Sequence, residues 1–257
     1  METLQKKIEK FTHLIKESKN IVILTGAGMS TESGIPDFRS PEIGLWNKVD
    51  PDEVASIHSY VSNPSKNLKY MFELGTTIFK AKPNKGHKAI TRLQRLGKLN
   101  WVLTQNIDGL HQKARTKNVI ELHGNVNEAK CLRCGKIFPI TIMINQVLKG
   151  ELSPSCEICT GLLKPNAIFF GEPLSSKTLK AADQIIDNCD LLIVLGSSLL
   201  VYPVAFYPRK ALTRGAKVCI INIQETDIDS DADVVIHEKI GEIFPKIVQI
   251  LESEIKN

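Results

Sequence analysis

Short apolar runs that end in glycine and polar residues recur along the chain. The first is Ile-Val-Ile-Leu-Thr-Gly-Ala-Gly, residues 21–28. Others stand at 100–106, 118–124, 166–172, 191–198 and 217–223, with a short one at 234–237. A continuous apolar run of this length, closed by turn residues, predicts a strand buried on both faces. Helical spacing lies between many of them, as at 87–97 and 179–189. Near the start, Leu4, Ile8, Phe11, Leu14 and Ile15 lie on one side of a predicted amphipathic helix. Buried strands alternating with helices predict an α/β fold, a parallel sheet covered by helices on both faces.

Two stretches break this rhythm. Residues 41–85 are polar, weakly helical and punctuated by Pro41, Pro51, Pro64 and Pro83; residues 126–166 hold four cysteines. Both read as insertions that together make a smaller domain. The sheet domain then comprises residues 1–40, 86–125 and 167–257, with 41–85 a helical insert and 126–166 a cysteine module. Ligands of open parallel sheets bind beyond the carboxyl ends of the strands. Here those ends read TGAG, TQN, LHG, FGE, GSS and NI, a polar rim suited to a site.

Composition narrows the class. Of 257 residues, 42% are hydrophobic and 24% charged, as in ordinary globular proteins. The net charge is +5, but no run of five like charges occurs, so charge alone gives no case for a nucleic-acid partner. Lysines and glutamates interrupt the first twenty residues, which argues against a secretion leader. No apolar run nears the roughly 20 residues that span a bilayer, so no membrane partner and a cytoplasmic location are expected. Thiols stay reduced there, which favours metal ligation over disulfides. Cys131-x-x-Cys134 and Cys156-x-x-Cys159 have the spacing of a tetrahedral thiolate zinc site. Four sulfur ligands leave no open position, so the zinc is expected to be structural, in a zinc-ribbon module. Cys189 and Cys219 fall in a helix end and a strand and read as core residues.

Gly26-Ala27-Gly28 follows the first strand, where glycines let the backbone turn sharply and approach a phosphate, with helix-start amides donating to it. A plain strand-to-helix turn explains this loop alone equally well. Thr31 replaces the third glycine of a dinucleotide fingerprint, and no ribose-binding acid ends a second strand about 20 residues later. The longer pattern is more specific. The chain carries GAG-x-S-x-x-SGIPDFR from Gly26 to Arg39, TQNIDGLH from Thr104 to His111, and ELHG from Glu121 to Gly124. Paired CxxC motifs, FFGE (Phe169 to Glu172), GSS (Gly196 to Ser198) and Ile221-Asn222 follow in order. This ordered set, over roughly residues 20 to 225, resembles the sirtuin family.

The resemblance implies a Rossmann-like NAD-binding domain with a small structural zinc module, and NAD-dependent deacylation of acetylated lysine in protein or peptide substrates. In that reaction nicotinamide leaves a ribose carbon, the acyl oxygen attacks there, and a base helps a ribose hydroxyl collect the acyl group. His123, in the ELHG context, is the implied base; taken alone it reads as a histidine capping a strand end. Asn106 is a second catalytic candidate, able to hold a ribose hydroxyl or a water. Gln105 and Asn106 are implied to meet the nicotinamide ribose, and Ile107 and Asp108 the nicotinamide; N-x-D-G is also good turn chemistry. Asp37, Phe38 and Arg39 belong to a loop implied to fold over NAD, and Gly26, Ala27, Gly28 and Thr31 to the cofactor turn. Gly196, Ser197, Ser198, Asn222 and Ile223 suit phosphate and adenosine contact, with Ala232 near the adenine; ordinary strand-end capping is the alternative. The usual glycine after the asparagine pair is replaced by Gln224.

The acyl-lysine peptide is implied to add as a strand between residues 170–174 and 198–202, with Phe170, Gly171, Glu172, Leu199 and Val201 as contacts and Ile168 and Phe169 walling the lysine tunnel. The chain is expected to act as a monomer. Three other functions compete. A dehydrogenase lacks its third glycine and acid here, and a zinc-ribbon nucleic-acid-binding protein leaves TQNIDGLH and SGIPDFR unused. Mono-ADP-ribosyl transfer shares the same ribosyl chemistry and is the alternative hardest to separate. Sirtuins that prefer succinyl-lysine carry Tyr-x-x-Arg after the cofactor loop; here Tyr70 is followed three residues on by Glu73.

Overall fold

The computed structural model describes residues 2–37, 44–47 and 49–256, without the side chain at 46. In chain order the elements are α1 (Leu4–Glu17), β1 (Ile21–Thr25), α2 (Pro51–Val54), α3 (Ile57–Ser62), α4 (Pro64–Lys80), α5 (Lys85–Arg95), β2 (Trp101–Thr104), α6 (Leu110–Lys113) and β3 (Val119–Glu121). Then come β4 (Gly124–Cys131), β5 (Ile137–Pro139), α7 (Ile140–Leu148), β6 (Leu163–Ala167), α8 (Ser176–Asp187), β7 (Leu191–Leu195), α9 (Tyr207–Thr213), β8 (Lys217–Ile221), β9 (Val234–Ile236) and α10 (Ile240–Lys256).

Six strands form one all-parallel sheet in the order β3-β2-β1-β7-β8-β9. The chain builds outward from β1 on one side and from β7 on the other, so the order reverses between these two central strands. Their carboxyl ends flank the crevice where such sheets bind ligands. Strand period sorts the side chains by face. Ile21 and Ile23 of β1 pack with Ile193 of β7 beneath α1, α5 and α10. Val22 and Leu24 point the other way, with Leu192 and Val194, toward α8 and α9. Both faces are therefore closed, which is why β7 is apolar at every position and β1 at all but its last, Thr25.

The inserts share a core of their own. Tyr60 and Leu68 of the helical segment pack with Phe138, Met143 and Leu163 of the cysteine module. Tyr60 is fully buried, and its hydroxyl donates to the Leu163 carbonyl at 2.6 Å. Asn63 starts α4 by accepting from the Lys66 amide, with Pro64 at the first helical position.

Two expectations are corrected. The run at 166–172 is not a strand of the parallel sheet. β6 ends at Ala167 and pairs antiparallel with β4, in a separate three-stranded sheet of order β5-β4-β6. The residues after it leave the ladder: Ile168 N–H donates to the His123 carbonyl, and Phe170 exchanges bonds with Ala55 and Ile57. An apolar run cannot reveal which sheet receives it. Nor does a helix follow β1. Two three-residue 3₁₀ turns, Ala27–Met29 and Thr31–Ser33, end in Gly34 at φ 85°. The Gly26 and Gly28 amides donate to the Leu195 and Gly196 carbonyls at 3.1 and 2.9 Å, so they are committed to β7.

That commitment explains the glycines. A Cβ on Gly26 would sit 2.7 Å from the Gly196 oxygen, and one on Gly28 2.9 Å from the Gly196 Cα. Gly196 itself has φ +64°, and a Cβ there would overlap the Met29 amide nitrogen. The substitution Gly196→Ala adds left-handed strain to this clash and is expected to cost at least ~2 kcal/mol. Its melting temperature, read by circular dichroism, should fall by roughly 4–8 °C; an unchanged melting curve contradicts the close contact.

Candidate active site and zinc centre

The strand ends meet at Gln105. Its amide donates to the Thr25 carbonyl of β1 at 2.9 Å. Its side-chain Nε2 donates to Ser197 Oγ beyond β7 at 2.9 Å. Its carbonyl lies 3.1 Å from His123 Nδ1. A carbonyl can only accept, so Nδ1 carries the proton and Nε2 keeps its lone pair. His123 Nε2 is buried and has no hydrogen-bond partner among the described residues. Burial pushes the His123 pKa down, partly offset by the bond to Gln105. The ring is therefore neutral at pH 7 and presents a bare acceptor to the cleft.

Asn106 and Asp108 stand beside it. The Asn106 amide group donates to the Gly26 carbonyl (2.9 Å) and to Ser30 Oγ (3.2 Å). Its Oδ1 accepts no hydrogen bond among the described residues and is the part left to offer a ligand. Asp108 accepts from Ser30 Oγ at 2.6 Å and from the Leu110 amide at 2.8 Å. Burial raises its pKa while those donors lower it. Asp108 thus ties the TQNIDG turn to the glycine loop. His111, which accompanies it, is buried against Thr25 Oγ1 at 3.0 Å and packs against the tilted ring of His87, 5.0 Å between centroids. Burial holds it near pKa 4, so it is a neutral packing residue.

One cavity of about 960 Å³ joins most of the residues singled out in the sequence. Gly26, Ala27, Gly28, Thr31 and Asp37 line it on one side, with Gln105, Asn106, Ile107, Asp108 and His123 on its floor. Gly196, Ser197, Ser198, Asn222 and Ile223 line the far end, and Ile168, Phe170, Gly171, Glu172 and Val201 the remaining wall. Phe38 and Arg39 lie outside the described residues. The orphaned His123 nitrogen and the glycine cradle at the strand crossing both fit an extended dinucleotide.

Some placements differ from the sequence reading. Ala232 packs with the apolar cluster on the α8/α9 face and does not line the cavity. Gln224, Glu238 and Lys239 line that end instead. The strand-end rule, applied to β9, points to the last two. Leu199, at φ 55°, turns its side chain into the core, so only its backbone remains for a peptide. Phe170 gives its N–H and C=O to Ala55 and Ile57, so Gly171 is left as the nearby edge for strand addition. Glu172 turns inward: its carboxylate meets Lys164 Nζ at 2.9 Å and accepts from the Phe169 amide at 2.8 Å.

Lys164 escaped sequence reasoning. It is 1% exposed, donates to the Pro165 and Ala167 carbonyls at 3.0 and 2.6 Å, and lies 4.3 Å from the Phe169 ring centroid. Burial lowers its pKa while Glu172 raises it. This buried cation pins the 167–172 segment against the wall. Its strand, Leu163–Ala167, reads LKPNA and carries no apolar pattern that would mark the lysine as buried, where an unpaired charge is costly. Tyr70 and Met71 of α4 and Met143 and Ile144 of α7 also line the cavity from the two inserts.

Away from the cavity, Cys131, Cys134, Cys156 and Cys159 bring four sulfurs within 4.8 Å of one another. The Cys131–Cys159 and Cys134–Cys156 separations are 3.5 and 3.9 Å. A tetrahedron of sulfurs at about 2.3 Å from zinc has edges of about 3.8 Å. The four thiolates therefore fit zinc, with no position left for water. Cys131 and Cys156 are also buried in the shared core of the inserts. Cys131→Ala is expected to release the metal, measured by plasma mass spectrometry, and to lower the melting temperature. A metal-free protein that melts with the parent would contradict a structural zinc.

Known proteins give the same picture. The family model described as Sir2 family matches residues 26–203. An NAD-dependent protein deacetylase of Thermodesulfovibrio yellowstonii is 43% identical over 251 residues, 96% of each chain. An NAD-dependent protein deacylase 2 of Archaeoglobus fulgidus is 43% identical over 247 residues, also 96% of each. A solved Sir2 enzyme superposes with a TM-score of 0.90 at 41% identity, over 98% of this chain and 100% of that one. A Sir2 complex with p53 peptide and NAD⁺ superposes with a TM-score of 0.86 at 38% identity, over 96% of this chain and 99% of that one. The motifs, the strand order and these relatives agree, and the chain belongs to the Sir2 family.

Proposed function

We propose that this chain is an NAD-dependent protein-lysine deacetylase. It moves the acyl group of acyl-lysine to ADP-ribose, consuming one water and releasing nicotinamide and the free lysine. The observation that carries this reading is His123, a neutral imidazole whose only free nitrogen is an unpartnered acceptor inside the cleft. When bound, NAD supplies the ribosyl carbon that takes the acyl oxygen and the nicotinamide that leaves.

The chain's residues do the rest. Gln105 holds the His123 ring by Nδ1, so Nε2 is the atom that takes a proton from a ribose hydroxyl. Asn106, fixed by Gly26 and Ser30 through its amide nitrogen, keeps its carbonyl oxygen for a ligand in the same cavity. Gly26, Ala27, Gly28, Thr31, Gly196, Ser197 and Ser198 carry the diphosphate and its riboses. Ile107, Asp108 and Asp37 enclose the nicotinamide end. Asn222 and Ile223, with Gln224 and Lys239, receive the adenosine. The Lys164–Glu172 pair holds Ile168 and Phe169 against the acyl-lysine while the peptide backbone runs past Gly171 and Val201. The chain is expected to work on acetylated proteins or peptides as a monomer. Among the described residues no helix is long and apolar enough to cross a membrane.

Mass spectrometry of the products tests the reading. With NAD and an acetyl-lysine peptide, the expected products are free nicotinamide, O-acetyl-ADP-ribose and deacetylated peptide. ADP-ribose attached to the peptide would favour ADP-ribosyl transfer instead. His123→Ala is expected to lower kcat by about 10²–10⁴-fold with NAD affinity within a few-fold, because base catalysis is lost and little cofactor contact goes with it. A variant turning over near the parent rate would remove His123 as the base.

The acyl preference follows from the wall beside α4. Tyr70 lines the cavity with its hydroxyl buried and unpartnered, and Glu73 raises its pKa further after burial. Among the described residues no arginine lines the cavity, and the one cation α4 gives to its lining is Lys80, in its last turn, ten residues beyond Tyr70. An acetyl group meets no such conflict, whereas an unpaired buried carboxylate is costly. On one peptide at saturating NAD, kcat/KM is expected to be higher for acetyl-lysine than for succinyl-lysine. Faster succinyl hydrolysis would contradict this preference and assign the acyl carboxylate to a cation such as Lys80.

A further inference from the structure

The positive charge of this chain is not spread evenly. Residues 74–120 carry ten lysines and arginines against a single acid, Asp108. With a total of +5, everything outside that stretch is net negative. Asp108 is buried and held by Ser30 and Leu110, so it offers nothing to the surface. Sequence order hides the cluster, because apolar core residues separate the cations and no like-charge run forms.

The fold gathers them. On α5, Lys85, Lys88, Arg92 and Arg95 are all exposed and recur every three to four residues, which places them in one stripe. The stripe is about 15 Å long at 1.5 Å per residue. Arg92 pairs with Glu252 of α10. Among the described residues, Lys85, Lys88 and Arg95 form no ion pair. Beside the stripe, Lys82, Lys88, Arg95, Lys113 and Arg115 surround a shallow depression. Its other walls are Pro83 and Ala114, with no acid and no aromatic ring. None of these five cations lines the catalytic cavity.

Backbone geometry adds an independent observation. Arg115 has φ 67°, the left-handed region where glycine is at ease and an arginine is strained. It follows the end of α6, where a glycine commonly stands. A side chain kept at a strained position points to a use for that side chain.

We propose that this face binds the phosphate backbone of double-stranded nucleic acid, without reading its sequence. A duplex presents a continuous line of phosphates that a cationic stripe and its flanking loop can follow. The absence of aromatic rings removes the stacking platform that single strands need. An acidic peptide is the other polyanion. It would bind through apolar anchors in pockets, and Pro83 and Ala114 offer none of useful size. This inference goes beyond the deacetylase reading and does not depend on it.

The test is fluorescence anisotropy of the full chain with a labelled duplex of about two helical turns, from about 50 to 200 mM salt. Five neutralised phosphates give a log–log slope near −4.5. Lys88→Gln with Arg95→Gln should reduce the slope by about 1.8 and weaken low-salt binding about tenfold or more. Arg115→Gly should reduce the slope by about 0.9 while leaving the melting temperature unchanged or raised. Lys177→Gln with Lys180→Gln, on α8 across the sheet, should change neither. The proposal is overturned if binding is absent or indifferent to salt, if the α5 pair binds as the parent does, or if the α8 pair loses as much. It is equally overturned if polyglutamate of matched charge competes as well as the duplex.

Discussion

Everything at the site depends on how closely the chain can pass itself where β1 and β7 end. The Gly26 and Gly28 amides are bonded to the Leu195 and Gly196 carbonyls, and no Cβ fits at any of the three glycines. This contact sits where the strand order reverses, the one place a parallel sheet leaves a crevice. Because Gly26 and Gly28 spend their amides on β7, the loop works less as an anion nest than as a low wall. It leaves the floor of the crevice to the turn after β2.

That floor is electrostatic design at short range. Gln105 reaches β1 with its amide, Ser197 with its side chain and His123 with its carbonyl. One residue therefore fixes both the position and the tautomer of the imidazole. Burial keeps the ring neutral and leaves Nε2 an unmet acceptor in the lining of the cavity. The buried Lys164–Glu172 pair does comparable work on the opposite wall, holding an irregular segment that has left its sheet. A zinc held by the four cysteines would support that wall indirectly, since Cys131, Cys156 and Leu163 share a core with Tyr60 and Leu68.

Much of this was legible in the sequence, and the exceptions have physical causes. Doubly buried strands show as unbroken apolar runs, so five strands of the parallel sheet stood out, with the short β9 behind them. The CxxC pairs announced by spacing alone the four-sulfur cluster that could hold a zinc. The 166–172 run misled because apolarity reports burial and not which sheet supplies the partner; Lys164 was missed because no apolar pattern in β6 marks it as buried. Ala232 fell on the wrong side of β8 and β9 because the residues linking those strands have no periodicity to orient them. Glu238 and Lys239, just past β9, follow the same strand-end rule that put LHG on the polar rim, whereas the role of His123 came from the family resemblance. The basic face was missed for a different reason. A helix displays every third or fourth residue on one side, so its charges adjoin in space while remaining apart in sequence.

The account stands on the protonation state of one ring. Long-range nitrogen–proton correlation spectra of the ¹⁵N-histidine-labelled chain, assigned with His123→Ala, read it directly. At pH 7 His123 should be neutral, protonated at Nδ1 and bare at Nε2, and should take up its second proton only below the ordinary histidine value of about 6.5. A ring protonated at Nε2, or still charged at pH 7, would contradict it.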